Sequence, residues 1–563
     1  MRAPRERRRW APRTAALLCL AIGVLDVWSA LYPADRGRLH TLTTVVPGAL
    51  TRASTALTLV TGVLLVLLAR GLRRRKRRAW RLTVALLVGS VALHVLKGLD
   101  VEEAVVAVAL LVVLWLVRDD FYARGDPRTR WRAVGAFLGL LATSYLLGMA
   151  LIGIRSARLA EGFSFGTAST HVLLGLVGVE GPLSYDNDAA GAAADDLVGD
   201  TLLVLGLFTV VTTAYLVLRP AEPLARLSGE DEARMRDLLR RYGEQDSLGY
   251  FALRRDKSVV WAPGGTACVA YRVVSGVMLA SGDPLGDPGA WPDALAAFLE
   301  MADAHAWTPA VMGCSEEAGT AWARAGLAAL EIGDEAVVDV ADFTLEGRAM
   351  RNVRQAVARI ERSGYTTRFC RVGDIDPAER ESLRQQAAAW RDTETERGFS
   401  MALGRFGETI DEDCMAVLAF HEGRLRGFLH FVPWGSNGLS LDLMRRDRSA
   451  DNGLNELLIV AAVRGAPERG ITRISLNFAV FRSAIERGER LGAGPVTRAW
   501  RALLVFASRW FQIESLYRFN AKFRPVWEPR YVCYPTARDL PRVAVAALEA
   551  EAFLVWPTLP WRR

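Results

Sequence analysis

Six apolar runs in the first 218 residues constrain this chain more than any other feature of its sequence. Most are long enough for a helix to cross a hydrocarbon core of about 30 Å, which takes about 20 residues. The hydrophobic fraction of the whole chain, 51%, is high for a soluble protein because of this region. The runs cover residues 14–32, 49–69, 80–96, 103–117, 133–154 and 200–218. The sequence therefore predicts an α-helical membrane bundle of about six spans.

Basic residues collect in alternate connections between these runs. The amino-terminal arm and residues 70–81 and 118–132 are rich in arginine, whereas the other connections carry few basic residues. Lysine and arginine accumulate on the cytoplasmic side of a membrane. We therefore expect both ends of the chain in the cytoplasm, with residues 221–563 forming a cytoplasmic domain.

Cysteine and histidine usage argues against metal chemistry. The six cysteines and six histidines are scattered, without the paired spacings of a zinc site. We interpret the cysteines as reduced thiols, and we predict no metal site. The net charge of +8 is compatible with a partner that is anionic, such as a nucleic acid or a lipid surface.

Residues 221–563 alternate between strand-like and helix-like stretches in an order that occurs twice. In each half a hairpin, which turns at Ser275-Gly276 or at Glu422-Gly423, precedes a helix and a further strand. The stretch 248–253 is also interpreted as a strand. This order predicts an α/β domain of two similar units with a mixed sheet. The predicted boundaries are 1–220 for the membrane region, 221–346 for the first unit, 347–364 for a connecting helix, 365–540 for the second unit and 541–563 for a carboxy-terminal helix or tail.

The connecting helix is amphipathic. At 100° per residue, Met350, Val353, Val357 and Ile360 share one arc. Five arginines occupy the opposite arc: Arg348, Arg351, Arg354, Arg359 and Arg362. Such a stripe is either a solvated surface or a binding site for a polyanion, and in the second case Arg351 and Arg354 are candidate substrate contacts.

Seven motifs occur in a consistent order between about residues 245 and 540. They are GDPLG (282–286), RNVRQAVARIERSGY (351–365), ERGFSM (396–401), LDLMRR (441–446), NGLNELLI (452–459), ISLNFAVFR (474–482) and NAKFRPVWEPRY (520–531). Together they resemble the cytoplasmic domain of the bacterial phosphatidylglycerol lysyltransferases, the multiple peptide resistance factor proteins. Residues 10–130 resemble the membrane region of the actinobacterial bifunctional lysylphosphatidylglycerol synthetases that carry a lysyl-tRNA synthetase domain.

The resemblance implies two tandem acetyltransferase-like (GNAT) folds and an enzyme in the bacterial plasma membrane. It implies transfer of an aminoacyl group, lysyl in the type member, from aminoacyl-tRNA to phosphatidylglycerol, with resistance to cationic peptides as the result. The co-substrate would then be lysyl-tRNA from a separate synthetase, and no cofactor is expected. A homo-oligomer is compatible with the sequence. The turn RSADNGLNE has one glycine, unlike the coenzyme A loop of ordinary acetyltransferases.

The resemblance places the family's active-site residues on Asp442, Arg445 and Lys522. In a regular strand Asp442 and Arg445 point to opposite faces, so we expect a bulge or a twist that brings them to one cleft. We predict that Asp442 holds the aminoacyl α-ammonium or orients the attacking hydroxyl. Arg445 and Lys522 are expected to contact phosphate or the developing oxyanion.

Four further side chains are candidates for substrate binding, namely Arg446, Asn477, Glu396 and Arg530. Each has a structural alternative; a buried Asn477, for example, needs a hydrogen-bond partner whatever its function. Three other functions stay open at this point. They are aminoacyl transfer to a peptidoglycan precursor, a coenzyme A-dependent acyl transfer, and a non-catalytic membrane protein.

Overall fold

The computed structural model describes residues 11–31, 48–73, 75–97, 101–122, 128–160, 162–185, 189–218, 223, 225–391, 398–480 and 513–554. The chain divides into two compact units. The amino-terminal unit spans Met1–Ala221, and the carboxy-terminal unit holds nearly all of the remaining residues.

Each of the six predicted apolar runs corresponds to a helix of the amino-terminal unit. Its helices are α1 (Ala11–Leu31), α2 (Gly48–Arg73), α3 (Arg77–Lys97), α4 (Val101–Leu116), α5 (Arg128–Ile154), α6 (Phe165–Gly175) and α7 (Ala189–Leu218). Among the described residues, three segments are long and apolar enough to cross a membrane, in α1, α5 and α7. The chain is therefore a membrane protein, and the figure of six spans stays a prediction.

Helices of this unit pack closely through glycine and present apolar side chains outward. A Cβ atom at Gly23 of α1 would lie 2.7 Å from the carbonyl oxygen of Gly62 in α2, so only glycine allows this approach. Large apolar side chains such as Leu25, Leu146 and Val204 are more than half exposed. An apolar outer surface of this kind is suited to lipid and not to water.

The carboxy-terminal unit is built on one sheet. Its helices are α8 (Gly229–Tyr242), α9 (Trp291–His305), α10 (Glu316–Arg324), α11 (Arg351–Arg362), α12 (Pro377–Ala389), α13 (Leu454–Gly465), α14 (Ile513–Ala521) and α15 (Leu540–Ala550). Its strands are β1 (Ser258–Trp261), β2 (Ala267–Val274), β3 (Val277–Ser281), β4 (Leu285–Gly286), β5 (Thr308–Cys314), β6 (Ala328–Asp339), β7 (Thr366–Arg371), β8 (Met415–His421), β9 (Arg424–Trp434), β10 (Gly438–Arg446), β11 (Arg473–Val480) and β12 (Val526–Tyr534).

The strand order is β1-β2-β3-β5-β12-β6-β11-β10-β9-β8-β7, with β4 paired to β2. The pairs β3–β5 and β10–β11 are parallel and the other pairs are antiparallel, so the sheet is mixed, as predicted. A helix connects each parallel pair, α9 in the first half and α13 in the second. The two halves thus follow one pattern, but they share a continuous sheet because β12 lies between β5 and β6.

Helices cover both faces of this sheet. One face packs against α8, α12 and α15 through residues such as Met235, Leu383 and Val543, and we call it the α12 face. The other face packs against α9, α10, α11 and α13 and is called the α13 face. Layers on both sides bury strands such as β2, β3 and β8 almost completely, which explains their apolar sequences.

Several local predictions are confirmed. Residues Ser275, Gly276, Glu422 and Gly423 all have left-handed φ angles, as two-residue hairpin turns require. The four apolar residues predicted to share one arc of the connecting helix are each 2% exposed or less. The strand expected at 248–253 is wrong: residues Gly249–Leu253 form a buried 3₁₀ helix. All five side chains are buried, so the stretch lacks the alternation that distinguishes a half-buried strand.

A buried arginine on β12, the strand that joins the two halves, forms hydrogen bonds to neighbouring strands and to residues 246 and 247. Arg530 of β12 donates from Nε to Glu335 Oε2 at 2.8 Å, and from Nη1 to Asp246 Oδ1 at 2.7 Å and the Gly313 carbonyl oxygen at 3.3 Å. Its Nη2 donates to Ser247 Oγ at 2.7 Å and to Glu335. All five N–H donors of the guanidinium therefore have protein acceptors.

Replacing this arginine should destabilise the fold strongly. Arg530→Met keeps much of the side-chain length but leaves the carboxylates of Glu335 and Asp246 buried without their cation. Breaking a buried pair in this way lowers the free energy of unfolding by about 3–5 kcal/mol. Chemical denaturation of the full chain in detergent micelles measures the effect, with the exposed Arg241→Met as control. A loss no larger than that of the control would contradict this account.

Candidate active site

A β-bulge determines where Asp442 points. Between β10 and β9 the register runs from Leu441 opposite Phe431 directly to Leu443 opposite His430, so Asp442 is the extra residue. Its carboxylate bonds to groups on the α12 face, where Leu443 also packs. The bulge predicted for this strand is therefore present, and its extra residue is Asp442.

The bulge changes which neighbours share a face with Asp442. Arg445 lies opposite Phe428, which is buried on the α12 face, and cross-strand partners point to the same side. Arg446 lies opposite Gly427 and beside Leu454 of the α13 face. Asp442 and Arg445 therefore share the α12 face, whereas Arg446 lies on the other.

Asp442 forms a buried pair with a histidine. Its Oδ2 lies 2.7 Å from His430 Nδ1, and its Oδ1 accepts a hydrogen bond from the Leu403 amide at 2.7 Å. Both side chains are fully buried, and the Phe406 ring packs edge-on against the imidazole at 5.0 Å. Because a carboxylate accepts at Nδ1, the hydrogen-bond network assigns the proton of a neutral ring to Nδ1. The His430 Nε2 atom is then an acceptor.

Apart from guanidinium nitrogens, three buried polar atoms on adjacent strands find no hydrogen-bond partner among the described residues. They are His430 Nε2 on β9, Ser440 Oγ on β10 and Asn477 Oδ1 on β11. Most buried polar groups in native proteins are hydrogen-bonded, so such a group needs an explanation. These three atoms therefore make the strands beside Asp442 a candidate site for a polar ligand.

Beside these atoms the two parallel strands separate. The pairing of β10 with β11 covers only Gly438–Ser440 and Arg473–Ser475. Beyond it Asn477, whose φ angle is 67°, donates from Nδ2 to the Leu441 carbonyl oxygen and spans the gap. We call this gap the strand opening. The backbone pairing of the two strands thus ends two residues before Asp442.

Lys522 lies on the other face. Its Nζ atom is 2.8 Å from Glu456 Oε1 in the first turn of α13 and 5.1 Å from the centre of the Phe519 ring. Asn520, two residues earlier, donates to the Leu476 carbonyl oxygen on β11 at 3.3 Å. Lys522 thus does not bond to Asp442 or Arg445, which lie on the α12 face.

The remaining candidates differ in their surroundings. Arg445 donates from Nη1 to the Met444 carbonyl oxygen at 3.2 Å and is half-buried. Arg351 is exposed, and Arg354, also exposed, donates to the Gly347 carbonyl oxygen at 3.2 Å. Glu396 lies outside the described residues. The prediction that Arg530 binds substrate is corrected, because all its donors are used within the protein core.

One loop carries several of the contacts to the site. Residues 398–406 supply the Leu403 amide to Asp442, the Phe406 ring to His430, and the Met401 carbonyl oxygen to Asn477 at 3.5 Å. Glu551, just after α15, holds this loop by accepting from the amides of residues 399 and 400 at 2.6 and 3.0 Å. The carboxy-terminal helix therefore positions the residues that orient the Asp442–His430 pair.

A buried lysine lies beneath the same loop. Lys257 Nζ donates to the Phe251 carbonyl oxygen at 2.9 Å and to Ser281 Oγ at 2.8 Å, and it lies 4.6 Å from the centre of the Phe399 ring. Burial lowers the pKa of Lys257 from 10.5 to about 7, and the charge of Arg254 also lowers it.

The lowered pKa makes stability depend on pH. Between pH 7 and 10.5 the unfolded chain binds this proton and the folded chain releases it, so the free energy of unfolding rises with pH. Lys257 contributes up to about 1.4 kcal/mol per pH unit in this window. Denaturation of the full chain in detergent at pH 7, 8 and 9 should show a steeper rise for the wild type than for Lys257→Met. Parallel curves would contradict the assignment.

Sequence reasoning missed His430, Glu456 and Glu551. His430 had a detectable signal, since alternation along β9 places it on the same face as Phe428 and Val432, where a lone polar ring needs a partner. Its partner depends on the register of β9 and β10 and on the bulge. The contacts of Glu456 and Glu551 come from residues 66 and about 151 positions away.

Two family models match the chain, one in the carboxy-terminal unit and one in the amino-terminal unit. Residues 236–534 match the family model described as phosphatidylglycerol lysyltransferase, C-terminal, and residues 7–184 match the one described as transmembrane region of lysyl-tRNA synthetase. The lysylphosphatidylglycerol biosynthesis bifunctional protein LysX of Rhodococcus opacus is 44% identical over 502 residues, which are 88% of this chain and 44% of that protein. LysX of Mycolicibacterium gilvum is 42% identical over 568 residues, 98% of this chain and 51% of that protein.

The chain thus spans about half the length of the curated relatives that it matches. Among solved structures, L-PGS from Bacillus licheniformis superposes with a TM-score of 0.52 and 22% identity. The superposition covers 59% of this chain and 99% of that structure, and it shows that the two share a fold.

Proposed function

The chain belongs to the phosphatidylglycerol lysyltransferase family, and from this premise we propose that it transfers a lysyl group from lysyl-tRNA to a glycerol hydroxyl of phosphatidylglycerol. The observation that carries the proposal is the buried Asp442–His430 pair, whose Nε2 atom has no hydrogen-bond partner among the described residues. Transfer between two esters needs a base and an oxyanion site, and it needs neither ATP nor a metal. We therefore propose that the enzyme uses no cofactor.

In the proposed reaction His430 is the general base. Its Nε2 atom takes the proton of the glycerol hydroxyl as that oxygen attacks the carbonyl carbon of lysyl-tRNA. Asp442 stabilises the resulting imidazolium through Nδ1. The tetrahedral intermediate then breaks its bond to the ribose oxygen, and Nε2 returns the proton to that leaving group. Of the two roles predicted for Asp442, the geometry supports orientation of the hydroxyl through His430.

Cations and amides near the strand opening suit the charges of the two substrates. Arg445 shares the α12 face with Asp442, and we assign it the lipid phosphate or the oxyanion. Asn477 lies in the opening, where its amide group can contact the ester. Lys522 and the exposed arginines of α11 lie on the other face, and we assign them phosphates of the tRNA.

The membrane arrangement belongs to the same proposal. With six spans and arginine-rich connections on the inner side, residues 221–563 would work in the cytoplasm, where aminoacyl-tRNA is made. Lysylation changes the phosphatidylglycerol headgroup from a net charge of about −1 to about +1. A less anionic surface attracts cationic peptides less, so the proposed product confers resistance to them.

Lipid analysis tests the reaction directly. We propose to express the full chain in a bacterium without aminoacylated lipids and to analyse its phospholipids by mass spectrometry. The expected product is lysyl-phosphatidylglycerol, and ribonuclease should abolish its formation in a cell-free assay. Formation of alanyl- or ornithyl-phosphatidylglycerol would show that the enzyme transfers that amino acid and not lysine. Labelled lysine in peptidoglycan precursors and not in lipid would support the alternative acceptor and contradict the proposal.

Substitutions in the buried pair should abolish most of the activity. Asp442→Asn and His430→Gln each remove the general base or its orientation, which contributes about 10²–10⁴-fold in rate. Initial rates with lysyl-tRNA and phosphatidylglycerol vesicles measure the loss. Asp447→Asn is the matched control, because that aspartate only holds an exposed turn through Ser449 and Arg426. Activity of His430→Gln within tenfold of the wild type would exclude histidine as the base.

A further inference from the structure

Two side chains on the α13 face already bind a lysine ammonium. The carboxylate of Glu456 lies 2.8 Å from Lys522 Nζ, and the ring of Phe519 lies 5.1 Å from the same atom. A carboxylate and an aromatic ring are the two groups that recognise an alkylammonium ion in proteins. The ammonium that they hold here belongs to the protein itself.

We propose that Glu456 and Phe519 form the recognition site for the side-chain ammonium of the transferred lysyl group, and that Lys522 occupies this site when no substrate is bound. The inference rests on the proposed function and deepens it, because it names the residues that select lysine. Every aminoacyl-tRNA has an α-ammonium, whereas the side-chain ammonium distinguishes lysine from neutral amino acids.

Exposure of the pair supports such an exchange. The Lys522 side chain is 43% exposed, and ion pairs at this level of exposure stabilise a protein only slightly. Glu456 is less accessible, with 14% of its side chain exposed. If Lys522 leaves, the glutamate is left partly desolvated without a cation, which is unfavourable unless another ammonium takes its place. A substrate lysine restores the same ion pair.

Three other carboxylates in the described part of the chain have partners that are fixed in the core. Asp442 is fully buried against His430 and the Leu403 amide. Glu335 is held by buried Arg530, and Glu551 by the 398–406 loop. The partners of these groups cannot move into solvent without breaking the core, whereas Lys522 can.

The exchange also has a consequence for Lys522. Once displaced from Glu456, its ammonium is available to a phosphate of either substrate. The binding of a lysyl group would therefore supply the cation that the reaction needs, and a neutral aminoacyl group would leave Lys522 bound to Glu456. Recognition of the lysine side chain and release of Lys522 for phosphate binding are therefore coupled.

The test compares two aminoacyl groups on one tRNA. Full-length chain in phosphatidylglycerol vesicles is assayed with lysine tRNA that carries either lysine or Nε-acetyllysine, which has no side-chain charge. We expect the wild type to prefer the lysyl substrate by at least tenfold in kcat/KM. Glu456→Gln should lower kcat/KM at least tenfold for the lysyl substrate and should not lower it for the acetylated one, because Lys522 is then released from the glutamate. Glu456→Asp should keep part of the preference.

Glu361→Gln is the matched control, because it removes an exposed glutamate that pairs with Arg464 on the same face. It should leave both substrates unchanged. An equal loss for both substrates in Glu456→Gln would overturn the inference, since Glu456 would then only place Lys522 or support folding. An unchanged preference would overturn it as well. A wild-type chain that is inactive with both substrates would overturn the proposed function together with this inference.

Discussion

Buried polar groups must be paired, and a row of them crosses five neighbouring strands on the α12 face of the sheet. From β12 to β9 the row contains Arg530, Glu335, Ser475, Ser440, Asp442 and His430. At its β12 end the hydrogen-bond donors are satisfied, because every N–H group of Arg530 has an acceptor. At its β9 end Ser440 and His430 keep unpartnered atoms among the described residues. Unpaired polar atoms in a core lower the free energy of unfolding. Natural proteins keep such atoms mainly at functional sites.

We propose that substrate reaches these atoms where β10 separates from β11. Hydrogen bonds hold the strands together up to Ser440, and the Asn477 side chain replaces the ladder beyond it. A ligand bound there would lie between the strand that carries Asp442 and Arg445 and the strand that carries Asn477. This position suits a reaction between a lipid and a tRNA, whose polar groups have to reach one point from different sides.

Local chemistry made much of the fold predictable. Turn residues determined both hairpins, and periodicity determined the apolar arc of α11, since each of these depends on neighbours in the sequence. The position of β12 between β5 and β6 depends on pairings across about 200 residues, and no local pattern encodes it. The same limit applies to the site. The family resemblance indicated Asp442, but the pairing of His430 with it depends on the register of β9 and β10. The structural role of Arg530 could be recognised only from the buried groups that it bonds to.

A structure of the full chain with a non-hydrolysable lysyl-adenosine amide tests the central claim most directly. The account predicts that the carbonyl group of this analogue lies in the strand opening, within hydrogen-bonding distance of Asn477 and close to His430 Nε2. It predicts in addition that Ser440 Oγ or His430 Nε2 gains a polar partner. An analogue bound on another surface, with both atoms still unpartnered, would contradict the account.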